Sequence, residues 1–247
     1  MTQHTLAGRT EAEVLWFQRR SFLQAASAWT AMGGLGSLGA AHAQSRSNVV
    51  ELQGDALLNG ERLRPDHTIQ TGDELRTGPG STLIFVIGSS AFHVRQNTMM
   101  KVERGSSLFA VSILRLISGA VASVWNKGGE RKIITPTLTA GIRGTGVYTE
   151  VFSNQDDRSY FCNCYGTVDL SAGADAVTSR ADYHQAFWGE VAPKDGRSLT
   201  PAKAINHTDE ELEALARLVN QRTAWQISGR KGTKDGSGYM GTGVTKP

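Results

Sequence analysis

Cysteine is scarce in this chain: two in 247 residues, Cys162 and Cys164, separated by one position. A pair so placed cannot staple distant segments, which excludes a disulfide-framework fold and leaves the core to hold by burial. An excess of one charge sign is also lacking. The net charge is +3, and the first 43 residues carry three arginines against two glutamates, so the remainder is near +2 with its charges interspersed. That is no polybasic footprint, and neither nucleic acid nor a membrane surface is expected as a partner. Long apolar runs are missing too. Beyond residue 43 no stretch approaches the ~18 apolar residues of a spanning helix, so no membrane span is expected after removal of the leader described below. There is no phosphate loop, dinucleotide fingerprint or zinc-protease histidine pair. Asp156-Asp157 lacks the glycine and terminal glutamate of a calcium loop. No nucleophile is tied to a base by sequence, so an enzyme is not expected.

What is present begins at Gln18-Arg19-Arg20-Ser21-Phe22-Leu23-Gln24, followed by a weakly apolar, glycine-containing run and then Ala41-His42-Ala43. Paired arginines ahead of Phe-Leu resemble a twin-arginine export signal, and Ala41 and Ala43 form a small-x-small cleavage site. Residues 1–43 are therefore read as a leader, cleaved or kept as an anchor, and residues 44–48 as a linker. That route carries folded proteins, so the expected location is periplasmic.

From Val49 the chain is a string of short β-type runs punctuated by turns, at the spacing of an all-β protein. Asn59-Gly60 is a two-residue hairpin signal. Thr82 to Ile87 is continuously apolar and reads as a strand buried on both faces. In Gly146 to Val151, residues Val147, Thr149 and Val151 share one face. The fold class expected over 49–192 is mainly β: a compact β-sandwich or short β-solenoid of many short strands. A C-terminal extension, 193–227, holds one amphipathic helix at about 209–222. Thr208-Asp209-Glu210-Glu211 is its capping box, and Leu212, Leu215, Ala216, Leu218 and Val219 form its apolar face. Six glycines among the last twenty residues make 228–247 a disordered tail.

Gly54 to Gly60, Ile69 to Ser81, Ile117 to Val121, and Thr135-Pro136 followed by Gly141 to Gly146 together resemble the FecR domain. The resemblance covers roughly residues 49–170. Its motif positions read as architecture. Gly72, Gly78, Gly119, Gly144 and Gly146 permit positive φ or close packing. Arg143 can lock a corner through nearby carbonyls, and Thr145 can close a local side-chain-to-backbone bond. The resemblance implies a periplasmic sensing or interaction module, non-catalytic, whose partner is another periplasmic or envelope protein. In the best-known members this domain follows a cytoplasmic anti-sigma segment and a membrane helix. Only 18 residues precede the arginine pair here, so direct control of a sigma factor is not expected.

Tyr160-Phe161-Cys162-Asn163-Cys164-Tyr165-Gly166 carries the sharpest chemical signal. On a strand, positions i and i+2 put both sulfurs on one face. Three readings stand open: buried core residues, a strained Cys-x-Cys disulfide, and a metal or thiol-redox site, for Zn or Cu, completed by one or two imidazoles with His184 and His207 as the candidates. The other histidines carry less; His93, on an apolar strand, reads as a satisfied core residue. A carbohydrate-binding platform would require exposed Trp125 or Trp188.

Overall fold

The computed structural model describes residues 47–104 and 110–236. The stretch read as an export leader, residues 1–43, and residues 237–247 of the expected tail lie outside the described residues. The described chain is mainly β. The first strands are β1 (Val49–Gln53), β2 (Ala56–Leu58), β3 (Glu61–Arg62), β4 (Glu74–Thr77), β5 (Thr82–Ile87), β6 (Ser90–Val94) and β7 (Met99–Arg104). Three long strands follow, β8 (Val111–Trp125), β10 (Thr139–Phe152) and β11 (Arg158–Ala172), with β9 (Arg131–Ile134) between the first two. The series closes with β12 (Asp175–Ala181), β13 (Gln185–Lys194) and β14 (Arg197–Ala202).

All of them join one hydrogen-bonded sheet that bends along its three long strands. The first part of β8 pairs with β7, and its last part pairs with β6. The start of β10 pairs with β9 and its end with β8. The start of β11 pairs with β13 and its end with β12. One half therefore runs β1-β5-β6-β8-β10-β11-β13-β14, and the other runs from β3 through β2, β4, β7, β8, β9, β10 and β11 to β12. The main core lies between the halves, where Leu75, Met100 and Val102 from one meet Leu83, Phe85, Phe92 and Phe161 from the other. The mainly β class expected is what the chain forms, as one open sheet of many short strands with a C-terminal helix. Thr82–Ile87 is a central strand, flanked by β1 and β6 as its composition predicts.

The bends fall where each long strand carries a left-handed glycine: Gly119 (φ 78°), Gly144 (φ 82°) and Gly166 (φ 101°). A strand that changes sheets must break its pleat, and a positive-φ residue at a bulge does this without a Cβ clash. At Gly119 a Cβ would also sit 2.7 Å from the Asn97 carbonyl oxygen. Gly119→Ala is expected to destabilise the fold by about 2–3 kcal/mol, read as a lower urea midpoint at unchanged slope.

Other architectural expectations resolve as follows. Asn59 and Gly60 both have positive φ in the β2–β3 hairpin. Gly72 is left-handed, Gly78 packs against Asp55 and Ser81, and Gly146 lies against the Tyr165 ring. Thr145 donates its hydroxyl toward Asn163 Oδ1 or the Gly146 carbonyl, each at 3.1 Å. Arg143 departs from its expected role. Its guanidinium pairs with the Asp169 carboxylate across β10 and β11 rather than with carbonyls, because that carboxylate lies on the neighbouring strand. Trp125 is fully buried against Phe92, and Trp188 is half-buried under the Arg158 guanidinium, so neither offers a flat platform.

A second core lies on the outer face of the half that contains β6, β8, β10 and β11. Ile84, Ala91, Ala122, Val124, Tyr148, Tyr160, Cys162 and Cys164 form its floor. Its cover is α1 (Asp209–Leu218), through Leu212, Leu215 and Ala216, together with Trp225 from α2 (Ala224–Ser228). The extension begins later than composition suggests: β14 still belongs to the sheet, so the boundary falls after Ala202, not at 193. The helix is also shorter than expected. The left-handed Asn220 (φ 56°) turns the chain, and Thr223 caps α2 with a full capping box to Gln226. Residues 229–236, which composition assigns to a disordered tail, run back over α1, where Lys231 and Lys234 pair with Asp209.

Candidate metal centre

The sequence of β11 settles where the sulfurs go. Cys162 lies between Tyr148 of β10 and Ala186 of β13, with its side chain on the second-core face, and Cys164 follows on the same face. Both are free thiols and both are 0 % exposed, so they do not form the Cys-x-Cys disulfide. The tight connection from β12 to β13 delivers His184. It adopts a left-handed backbone (φ 42°), held by its N–H donating to the Cys164 carbonyl at 2.9 Å. A non-glycine residue in this region is strained and is seen where surrounding contacts over-determine it. His207 arrives from the other side, just ahead of α1.

The structure brings Cys162, Cys164, His184 and His207 together, with their potential ligand atoms all within 4.8 Å of one another. Cys162 Sγ is 3.7 Å from His184 Nδ1, and His184 Nδ1 is 2.9 Å from His207 Nε2. With metal–sulfur bonds of about 2.3 Å and metal–nitrogen bonds of about 2.0–2.1 Å, tetrahedral ligands sit roughly 3.3–3.8 Å apart. The cluster needs only small side-chain adjustments to reach that spacing.

The tautomers carry the chemistry. His184 Nε2 faces Asp209 Oδ1 at 3.0 Å, and His207 Nδ1 faces the Ile205 carbonyl at 2.6 Å. Both partners only accept, so each of those nitrogens carries a proton. The remaining nitrogens, His184 Nδ1 and His207 Nε2, face each other at 2.9 Å beside the sulfurs; burial opposes a charge on His184, but its contacts with Asp209 and Cys162 outweigh this and shift its pKa upward. Imidazoles oriented by acceptors on their far nitrogens are the usual outer shell of a metal-bound histidine. Two opposed lone pairs in a dry interior repel unless a cation or a shared proton lies between them.

Charge is arranged around this point. Burial would raise the Cys162 thiol, but Cys164 and the two imidazoles override it and hold the group well below its ordinary value. Burial and the neighbouring Cys162 push Cys164 upward. Burial would also raise Asp209. The His184 hydrogen bond and the Lys234 and Lys231 ammonium groups hold its carboxyl far below the usual range instead. Tyr183 donates to the same carboxylate at 3.0 Å. Trp225 stacks on His184 at 5.4 Å between ring centroids, and Tyr148 stacks on His207 at 4.8 Å.

Cys162, His184 and Asp209 also stand in the order of a nucleophile, a base and its orienting carboxylate. That reading requires a substrate to reach the sulfur. In the closed arrangement Cys162, Cys164 and His184 are 0 % exposed and His207 is 5 % exposed, so no carbonyl carbon reaches the sulfur there.

Asp209, Trp225, Lys231 and Lys234 escape sequence reasoning. Asp209 is hidden inside the helix-start signal, where an acidic residue needs no further explanation. The lysines lie in a glycine-rich stretch whose composition predicts disorder. The pattern Asn-His-Thr-Asp places His207 and Asp209 beside each other and was the one available pointer.

A second buried charge cluster ties α1 to the sheet. Thr208 accepts from the Glu211 amide at 3.2 Å, as a capping box requires, but the Glu211 carboxylate is engaged elsewhere. It accepts from His93 Nδ1 at 2.5 Å and from Arg95. His93 Nε2 meets the Thr82 hydroxyl at 2.7 Å, so His93 is the satisfied core residue its surroundings predict.

No protein-family profile and no characterised protein matches the chain. Among solved structures, two crystal structures of a "putative anti-sigma factor" from Parabacteroides distasonis ATCC 8503 are similar. One aligns at a TM-score of 0.43 with 9% identity, covering 59% of this chain and 64% of that one. The other aligns at 0.43 with 11% identity, covering 61% and 65%. The chain thus spans less than two thirds of either neighbour, and a likeness this distant carries no argument about function.

Proposed function

We propose that this chain is an exported, non-catalytic β-module of the FecR type built around one zinc ion. Cys162, Cys164, His184 and His207 are the four ligands. The observation that supports this most directly is the pair of imidazole nitrogens, His184 Nδ1 and His207 Nε2, turned inward by the Asp209 carboxylate and the Ile205 carbonyl and converging on two buried sulfurs. Two thiolates balance a divalent ion, and a two-sulfur, two-nitrogen tetrahedral set suits zinc, with Cu(I) as the softer alternative. Four protein ligands leave no open position for water or substrate, which is the form of a structural site and not a catalytic one. The folded-state export route fits an ion acquired before the chain leaves the cytoplasm. The FecR-like motifs support a role in binding another envelope protein through the sheet scaffold.

Elemental analysis of the purified full-length protein tests the site. One zinc per chain is expected, and Co(II) exchanged into it should give the intense d–d bands of a tetrahedral centre together with thiolate-to-cobalt charge transfer. One copper per chain would reassign the ion to the same ligands. Protein carrying no stoichiometric metal, and showing no cobalt spectrum after reconstitution, overturns the reading.

A further inference from the structure

We propose, resting on the zinc reading above, that the ion is the lock of a C-terminal clasp. Residues 203–236 release from the sheet when the metal leaves and close over it when the metal binds. The ligands straddle a junction. Cys162, Cys164 and His184 belong to the β scaffold, while His207 belongs to the extension that starts after Ala202. A bond through the ion therefore cross-links two parts of the chain that are otherwise joined only by packing and polar contacts.

Access to the centre requires the extension to move. In the closed state the sulfurs are fully buried. Trp225 of α2 lies against His184 on one side, and Asp209 with its two lysines closes another. The strap ends by adding to the sheet, where the Ala186 N–H donates to the Gly236 carbonyl at 3.0 Å. Every one of these covering groups lies within residues 203–236. On the scaffold side Phe161 and Val147 belong to the main core and Tyr183 lies edge-on against His184. Binding and release of the ion thus pass through an open state.

The metal-free closed state is also disfavoured. It confines two imidazoles and two sulfurs, in contact at 2.9 and 3.7 Å, in a dry pocket away from bulk water, and burying so many polar groups together costs free energy. Opening relieves this by letting His207 reach water. Opening also uncovers the apolar floor of Ile84, Ala91, Ala122, Val124 and Tyr148. Metal supply would then decide whether the module shows that face.

Hydrogen exchange of the full chain, with zinc and after chelation, tests this. Metal content is measured on the same samples. Chelation is expected to raise exchange at least tenfold in peptides from 206–228, while peptides from β5, β6 and β8 keep their slow core amides. Trypsin should cut the chelated protein at Lys203, Arg217 or Arg222 before any site in the sheet. His207→Ala, which leaves three ligands on the scaffold, should give the open pattern even with zinc present. Zinc uptake with equal protection of 206–228 in both states overturns the clasp and leaves the metal site standing. A uniform rise across sheet and extension also overturns it, because the ion would then be a global stabiliser. A protein that takes up no zinc overturns both.

Discussion

Replacing both cysteines, Cys162→Ser with Cys164→Ser, is expected to abolish zinc uptake and to remove the largest share of metal-linked stability. Serine keeps the volume and burial of each site but does not supply a thiolate, and the two imidazoles alone hold zinc weakly. A ligand that binds only the folded state adds about 4 kcal/mol when present at a thousandfold over its dissociation constant. For a domain of this size that is roughly 8–16 °C of midpoint temperature. Thermal unfolding of the parent with saturating zinc should therefore exceed that of the double variant by about this margin. The gap should largely close when both are measured with chelator. A variant that melts like the parent under zinc would show that the sulfurs are ordinary core atoms.

Glu211→Gln is the second large effect, and it acts away from the ligands. The glutamine keeps the shape but withdraws the charge that the Arg95 guanidinium and the His93 imidazole both face. Arg95, whose side chain is 13 % exposed, and His93, 1 % exposed, are left facing a neutral amide. Breaking one partner from a buried cluster of this kind costs about 3 kcal/mol. The pH dependence follows from the same contact. Burial opposes the charge on Glu211, but Arg95 and His93 outweigh it and bring the carboxyl down from 4.5 to about 2. The unfolded chain thus takes up this proton first as pH falls. The carboxylate's contribution is complete above about pH 4.5 and is lost as pH drops toward 2. Urea unfolding of parent and variant from pH 7 to pH 3 checks this. Their difference in stability should be constant above pH 5 and shrink below it. Taking the difference removes the acid loss of the metal site, which both proteins share.

Much of the architecture is legible because it is local. Glycine and asparagine at turns, continuous apolar composition at Thr82–Ile87 and the Thr208 cap each act within a few residues. The candidate centre is partly legible for the same reason: Cys-x-Cys on a strand fixes two side chains on one face whatever the fold. The contributions of His184 and His207 could be guessed only by elimination, since their approach depends on a strained turn after β12 and on the path from β14 to α1. The rest is tertiary. Glu211 reads as half of a capping box until His93 and Arg95, more than a hundred residues earlier, arrive beside it. Composition assigns 229–236 to disorder because glycine-rich segments bury little. Two lysines aimed at one buried carboxylate hold it in place instead. The sheet crossing could not be foreseen either, because the three glycines that turn the long strands look like any other loop glycine in sequence.

Those shared strands bear on how the molecule can be divided. Because β8, β10 and β11 each lend one end to either layer, no cut between residues 111 and 172 yields a fragment that keeps a whole layer. A partner seated on the layer of β2, β4 and β7 would pull on β8, whose far end pairs with β10, the neighbour of the strand that holds the sulfurs. Mechanical load or ligand binding at one surface is thereby transmitted along continuous covalent chain, not across a loose seam.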